Sequence, residues 1–230
     1  MKPLLSESED NDSLRALGRA SVQIVHDLKN QLNGLKLYAT FLRKRLEKDE
    51  RPADELETVN KLMAGLDRIA ADLSLIVEYG QPLHLKKQPG TDLEKIMRDV
   101  AEGLNRRPPV TGDLSSTIVV NGEPASLLGE FDPVLLAEAL KSISVGAMKM
   151  STNKAREGSL EVSVKGEACE AKRDGVIEWR VFASSDHDPF HSFAGSNEIR
   201  LALAARVIEA HGGSAKRQNG VLRVRLPLTT

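Results

Sequence analysis

Residues 14 to 46 read LRALGRASVQIVHDLKNQLNGLKLYATFLRKRL. Mostly apolar side chains recur along this stretch at steps that alternate between three and four, the period of a coiled-coil or bundle helix. The series runs through Leu14, Leu17, Ser21, Ile24, Leu28, Gln31, Leu35, Tyr38 and Leu42, and a second line through Val25, Leu32, Ala39 and Leu46 widens it. An apolar stripe made of two such lines is typical of a helix in a bundle rather than of a two-stranded coiled coil.

A second helix is predicted from Leu56 to Val77, after a turn that contains Pro52. Two long helices joined by a short turn form an antiparallel hairpin. A single hairpin cannot bury so wide an apolar stripe. We therefore expect a homodimer in which two hairpins form a four-helix bundle, with Leu28 and Leu66 in its core.

Shorter elements of both kinds follow Pro89. Helices are predicted at 91–107, 132–150 and 197–211, and strands at 116–120, 160–164, 176–182 and 221–226. Antiparallel strands with helices on one face of the sheet make the fold class α+β. The predicted organisation is a loose acidic tail at 1–12, the hairpin at 13–85 and an α/β domain at 86–230.

Composition excludes several classes of protein. The formal net charge is -1 and aromatic residues make up 3% of the chain, which argues against nucleic-acid binding through a basic field or stacked bases. No stretch approaches the roughly 20 apolar residues of a membrane span, and the first residues lack the apolar run of a secretory signal. We expect a cytoplasmic protein with no membrane partner. The single cysteine, Cys169, excludes an internal disulfide.

His26 lies outside the apolar seam of the first helix. Lys29, Asn30 and Asn33 share its face at helical spacing, and Asp27 is adjacent. A neutral imidazole is a competent nucleophile at neutral pH, and a neighbouring carboxylate can orient the ring or take its proton. Lys29 can balance the charge of a bound phosphoryl group. A solvated face that happens to hold a histidine is the alternative explanation.

The segment Val25-His26-Asp27-Leu28-Lys29-Asn30-Gln31-Leu32 resembles the H-box of bacterial sensor histidine kinases, with Gln31 where most members carry proline. The hairpin also resembles the dimerisation and phosphotransfer domain of that family. The resemblance implies that His26 carries the phosphoryl group. It also implies that Asn30 positions a water molecule for hydrolysis of a partner's phosphoaspartate.

The C-terminal part resembles the ATP-binding domain of the same family in two fragments, 132–140 and 207–213. The residues that handle the nucleotide differ. Ser142 and Gly146 stand where the family has asparagines, and Gly146 removes a Mg²⁺ ligand. The family's aspartate that contacts the adenine amino group aligns with Ala183 of this chain, or with Asp186 in a shifted alignment. Residues 196–201, with Glu198, replace a glycine-rich phosphate loop.

Such a chain resembles the histidine phosphotransferases of branched phosphorelays. This resemblance implies transfer of phosphoryl groups between His26 and the aspartates of response-regulator receiver domains, with no ATP or other cofactor on the chain. The receiver supplies Mg²⁺. Two alternatives are a divergent ATP-dependent kinase core and a non-catalytic module that docks receivers.

A metal site at Asp186, His187, Asp188 and His191 has ligand-like spacing, but a polar loop is the better interpretation, so we expect no metal. His211 is interpreted as a residue at the end of a helix, followed by a glycine cap, and not as a ligand.

Overall fold

The structure is a computed structural model, which describes residues 5–48, 53–106, 117–122, 126–152, 159–169, 172–181, 188–192 and 195–229. The chain divides into two compact units, Met1–Pro82 and Leu83–Thr230. The division falls three residues before the domain boundary expected from the sequence. Each unit has its own set of elements.

The described part of the N-terminal unit contains two long helices, α1 (Leu5–Lys48) and α2 (Ala53–Gly80). The helix α1 begins before the predicted position, so the expected loose tail is wrong for residues 5–12. No proline interrupts α1. The hairpin confirms the helical part of the predicted fold.

Only part of the apolar surface of the hairpin is buried between its two helices. Ala39 on α1 and Leu66 on α2 are buried, and the ammonium of Lys36 lies 2.6 Å from the carboxylate of Asp67 across the helix pair. Leu28, by contrast, is 43% exposed. The apolar side chains that the hairpin leaves exposed on the seam side of α1 are Ile24, Leu28, Leu35, Tyr38 and Leu42.

In its described residues, the C-terminal unit combines two sheets with three α-helices. A two-stranded sheet pairs β1 (Gln88–Asp92) with β3 (Leu128–Phe131). The five-stranded sheet contains β2 (Ile118–Gly122), β4 (Leu160–Cys169), β5 (Lys172–Arg180), β6 (Ser214–Gln218) and β7 (Val221–Pro227), in the order β2-β4-β5-β7-β6. The helices are α3 (Leu93–Asn105), α4 (Pro133–Thr152) and α5 (Ser196–Ala210). A 3-10 turn spans Pro189–His191.

One strand pairing differs from the expected antiparallel arrangement. The strands β2 and β4 run parallel, whereas the other pairs of the five-stranded sheet are antiparallel. Parallel neighbours need a long crossover connection, and here the connection contains β3 and the helix α4. The sequence showed the helix but not the direction of the pairing.

The core of this unit lies between the five-stranded sheet and the helices. Alternate side chains of β7, namely Leu222, Val224 and Leu226, are fully buried. Trp179 of β5 is also buried, and its indole N–H donates to the Ser144 hydroxyl on α4 at 3.0 Å. A buried indole needs such a partner, because an unsatisfied N–H would cost about 1–3 kcal/mol. The expected α+β layer is confirmed.

Candidate functional site

His26 projects from the continuous helix α1 and its side chain is 64% exposed. The Nδ1 atom lies 3.6 Å from the Asp27 Oδ1 atom and 3.4 Å from the Asn30 amide nitrogen. Both contacts involve the same ring nitrogen. The Asp27 carboxylate favours a proton on Nδ1, which leaves on Nε2 the lone pair that can attack an electrophile, whereas the Asn30 amide nitrogen can donate only to an unprotonated Nδ1.

The neighbouring side chains differ in their relation to the ring. Asp27 is itself 60% exposed and accepts a hydrogen bond of 3.1 Å from Gln23 Nε2, one turn earlier. Lys29 is half-buried, and no hydrogen bond or ion pair joins it to His26. The structure thus places Asp27 and Asn30 at the imidazole, and it does not bring the Lys29 ammonium into contact with it.

The face of α1 that carries His26 continues toward the C-terminal end of the helix as an exposed surface. Residues at helical spacing from His26 are Asn33, Leu37 and Phe41. Leu37 is 54% exposed and Phe41 is 59% exposed. At about 100° per residue, this face lies opposite the exposed seam that contains Leu35. Leu37 and Phe41 were not predicted to belong to the site, although their helical spacing from His26 is visible in the sequence.

In the C-terminal unit, Gly146 lies on the buried side of α4 against the helix α5. A Cβ atom at this position would come within 2.9 Å of the Leu201 Cδ2 atom. Leu201 is fully buried, so its side chain has little room to move. Gly146 therefore lacks an oxygen ligand, and the space that a ligating side chain would need is occupied by the core. Ser142, one turn earlier, is half-buried.

The start of α5 carries side chains rather than a glycine loop. Asn197 accepts a hydrogen bond of 2.7 Å from the Lys149 ammonium on α4. Glu198 accepts one of 3.4 Å from the Ser192 hydroxyl. The carboxylate of Glu198 thus lies in the first turn of α5, where a phosphate would otherwise meet free N–H groups. Ala183 and Asp186, the candidates for the adenine contact, lie outside the described residues.

His211 has a structural role at the end of α5, as the sequence predicted. It is buried, its Nε2 atom accepts the backbone N–H of Asp132 at 2.9 Å, and its Nδ1–H donates to the Val207 carbonyl at 2.8 Å. Asp132 in turn caps α4 by accepting from the N–H groups of Val134 and Leu135. Both ring nitrogens are therefore used inside the fold.

The suggested metal cluster is described only in part. Asp188 caps the 3-10 turn by accepting a hydrogen bond from the Phe190 N–H, and its carboxylate lies 3.3 Å from the ring of His191 within that turn. Asp186 and His187 lie outside the described residues. Within the described part of the chain, no group of three or more potential metal-ligating side chains occurs.

Comparisons with known proteins lead to histidine kinases. The chain is 23% identical over 224 residues to the sensor histidine kinase ZraS of Klebsiella oxytoca, an alignment that covers 93% of this chain and 45% of that protein. The chain therefore spans about half the length of the curated relative it matches. No protein-family model matches the chain. Among the described residues, no helix is both long and apolar enough to cross a membrane.

Solved structures share the fold at low identity. Full-length ShkA in complex with AMPPNP matches with a TM-score of 0.62 and 19% identity, over 92% of this chain and 46% of that one. The histidine kinase ThkA in complex with the response regulator protein TrrA gives 0.58 and 16%, over 100% and 68%. The Acinetobacter baumannii histidine kinase AdeS gives 0.53 and 16%, over 85% and 96%.

Proposed function

We propose that this histidine-kinase-like chain carries a phosphoryl group on His26 within a two-component signalling system. The observation that carries the proposal is the exposed imidazole whose Nδ1 faces Asp27 and Asn30, within a segment that resembles an H-box. The likeness to sensor histidine kinases along nearly the whole chain supports the same class of function.

The chemistry follows from the geometry at the ring. The Nε2 lone pair attacks the phosphorus of a receiver's phosphoaspartate, a P–N bond forms, and the bond between phosphorus and the aspartate oxygen breaks. The leaving carboxylate stays on the receiver. The negative charge of Asp27 stabilises the positive charge that develops on the imidazole as the P–N bond forms. The same path read backwards returns the phosphoryl group to an aspartate.

The partner in this proposal is a response-regulator receiver domain. Leu37 and Phe41 offer an exposed apolar surface on the same face as His26, where a docked receiver would bring its aspartate to the ring. Exposed apolar side chains that lie together mark protein contacts more often than isolated ones do. The complex of ThkA with its response regulator shows that a chain of similar fold has such a partner.

The source of the phosphoryl group, in our main proposal, is a phosphorylated receiver rather than ATP. The residues around Gly146 do not fit a magnesium-bound triphosphate, since the core fills the position of a metal ligand and Glu198 stands in the first turn of α5. Any Mg²⁺ would be held by the receiver. The C-terminal unit then serves as a scaffold and requires no cofactor.

An ATP-dependent kinase core is the second candidate. The relative ZraS is a sensor histidine kinase, and the matched structure of ShkA contains the nucleotide analogue AMPPNP. Both comparisons favour a kinase more than a phosphotransferase. The two candidates share His26 as the acceptor and differ only in the donor.

One labelling experiment separates the candidates. The full chain is incubated with radiolabelled ATP and Mg²⁺, and separately with phosphorylated receiver domains, and acid-labile label on the chain is measured. We expect label from receivers, none from ATP, and complete loss in His26→Gln. The matched control is His84→Gln, an exposed histidine outside the helices, which should label normally.

Each result has one meaning in this experiment. Label from ATP on His26 would establish the kinase core and refute our choice of donor. Label that persists in His26→Gln would refute the proposed carrier residue. A chain that binds receivers but accepts label from neither donor would be a docking module.

A further inference from the structure

The face of the five-stranded sheet turned away from the helices carries charged side chains in rows. Along β7, Leu222, Val224 and Leu226 are buried, whereas the intervening Arg223 and Arg225 are partly exposed. Successive side chains of a strand point to opposite faces, so the two arginines lie on the open face. The neighbouring strands contribute Lys165, Glu167, Glu178, Ser214, Lys216 and Gln218 to the same face.

An ion-pair network holds the two arginines in place. Arg223 Nε donates to Glu178 at 2.6 Å, and Arg225 donates to Glu167 at 2.9 Å. Lys165 lies between the two carboxylates, 3.0 Å from Glu167 and 3.6 Å from Glu178. The hydrogen bond with Glu167 raises the pKa of Lys165. Lys165 therefore carries a positive charge at neutral pH.

A depression of about 280 Å³ lies beside this network, on the strands β6 and β7. Three of its five lining residues are cations and none is a carboxylate; the lining consists of Ser214, Lys216, Gln218, Arg223 and Arg225. Its volume is just under the range of roughly 300–1,000 Å³ that drug-sized ligands occupy, so it suits a small ligand.

Lys216 is the unbalanced charge in this depression. It pairs directly with Arg223 across the ladder, and like charges in opposite positions of a sheet destabilise it. Within the described part of the chain, no carboxylate forms an ion pair with its ammonium. Glu178 lies on β5, on the opposite side of Arg223 from Lys216, so it offsets the charge of Arg223 without contacting Lys216. An anion bound between Lys216 and Arg223 would remove the repulsion.

We propose that this β6–β7 depression binds an anion that bears a phosphate group. Guanidinium groups present several N–H donors in a plane, which matches phosphate oxygens, and each arginine still has donors that its carboxylate partner does not use. The Ser214 hydroxyl and the Gln218 amide supply neutral donors. The ligand is either free phosphate or a small phosphorylated metabolite. This proposal does not depend on phosphoryl transfer at His26.

The test is a titration of the full chain at constant ionic strength and without Mg²⁺, in which binding is monitored by the amide chemical shifts in NMR spectra. The probes are inorganic phosphate and glycerol 3-phosphate. We expect saturable shifts at residues 214–218, 223 and 225. Lys216→Gln should weaken binding about tenfold or more, because a charge-assisted contact is lost. Without the anion, this variant should be at least as stable as the parent in a thermal melt.

Arg180→Gln provides the matched control, since Arg180 is an exposed arginine of β5 that pairs with Glu161 and does not line the depression. It should bind both probes as the parent does. Tighter binding of glycerol 3-phosphate identifies a metabolite as the ligand, and equal binding identifies free phosphate. Shifts that rise linearly without saturation, or an unchanged affinity in Lys216→Gln, would overturn the proposal.

Discussion

At the residue scale, one exposed carboxylate, Asp27, and one buried carboxylate, Asp132, have different consequences for this protein. Asp27 is open to solvent beside His26, so its charge should contribute little to stability, and in our proposal it acts on the ring. Asp132 is buried and accepts three backbone N–H groups, from Lys86, Val134 and Leu135. The first residue is therefore expected to affect transfer rates, and the second to affect folding.

Replacement of Asp27 by asparagine tests its role in transfer. Asp27→Asn keeps the size of the side chain and removes the charge that stabilises the imidazole, so single-turnover transfer from a phosphorylated receiver should slow about tenfold or more. Glu47→Gln, an exposed change near the end of the same helix, should leave the rate unchanged. The melting curves of the two variants should coincide. An equal transfer rate in the two variants would exclude the proposed role of Asp27.

Asp132 predicts an acid dependence of stability. Burial acts to raise the pKa of this carboxyl, but the backbone N–H groups and the nearby His211 outweigh burial and lower the pKa. Because the pKa of Asp132 is lower in the folded state, its carboxylate stabilises the folded protein at pH values above the unfolded-state pKa of about 3.9. This stabilisation is lost as the pH falls through the folded-state pKa. Urea melts should therefore show stability falling below about pH 4.

The variant Asp132→Asn isolates this contribution. It should flatten the acid part of the stability profile, whereas Asp99→Asn, an exposed change on α3, should not. Truncation to Asp132→Ala also removes the helix cap and should cost about 1–2 kcal/mol at pH 7. An acid profile that is identical in the parent and in Asp132→Asn would contradict this account.

At the scale of the elements, the contact of α4 with α5 depends on a glycine. A Cβ atom at Gly146 would collide with the buried Leu201, and overpacking typically costs about 1–3 kcal/mol. This exceeds the gain of up to about 1 kcal/mol from replacing glycine by alanine in a helix. Gly146→Ala should therefore lower the free energy of unfolding, measured by urea denaturation.

Gly103 on α3 is the matched comparison. No atom lies within 4 Å of a Cβ built at this position, so Gly103→Ala should raise stability by about 0.5–1 kcal/mol. If Gly146→Ala lowers the free energy of unfolding and Gly103→Ala raises it, then packing against Leu201, and not helix propensity, is the reason that position 146 requires glycine. Equal stabilisation by both would mean that Leu201 moves freely.

At the scale of the whole molecule, the exposed seam of α1 predicts a homodimer. Ile24, Leu28 and Leu35 lie on this seam and remain exposed in the hairpin. A contiguous apolar surface of this kind marks a protein interface. Leu35→Glu should give a monomer at micromolar concentration in light scattering, because each charge would be buried in the four-helix core.

Leu37→Glu is the control for this prediction. Leu37 has the same side chain and the same exposed fraction as Leu35, 54%, but it lies on the His26 face. The variant should remain a dimer and transfer phosphoryl groups more slowly, because receiver docking is weakened. A parent chain that is monomeric, or a Leu35→Glu variant that is still dimeric, would exclude the predicted interface.

Periodicity predicted the long elements of this protein. The helices α1 and α2, the capped start of α4 at Asp132 and the end of α5 before His211 were all visible in the sequence, because a long amphipathic pattern and a capping side chain are local signals. The position of His26 outside the seam was visible for the same reason. The assignment of His26 as the phosphoryl carrier remains a prediction.

Three of the short strands, β1, β3 and β6, were not predicted. The residues of β1 and β6 are mostly polar, so neither strand shows the apolar alternation that marks a strand in isolation. One signal was overlooked. Asn219 and Gly220 both have positive φ and join β6 to β7, and Asn-Gly is the preferred sequence of such a two-residue turn.

Other features depend on contacts between residues far apart in the chain. The parallel pairing of β2 with β4, the contact of Gly146 with Leu201 and the cluster of Lys216, Arg223 and Arg225 arise only when separate strands and helices pack together. A local pattern reports which face of an element is apolar, but not which element will cover it. The charged depression has no sequence signature for this reason, since its cations become neighbours only through the register of the sheet.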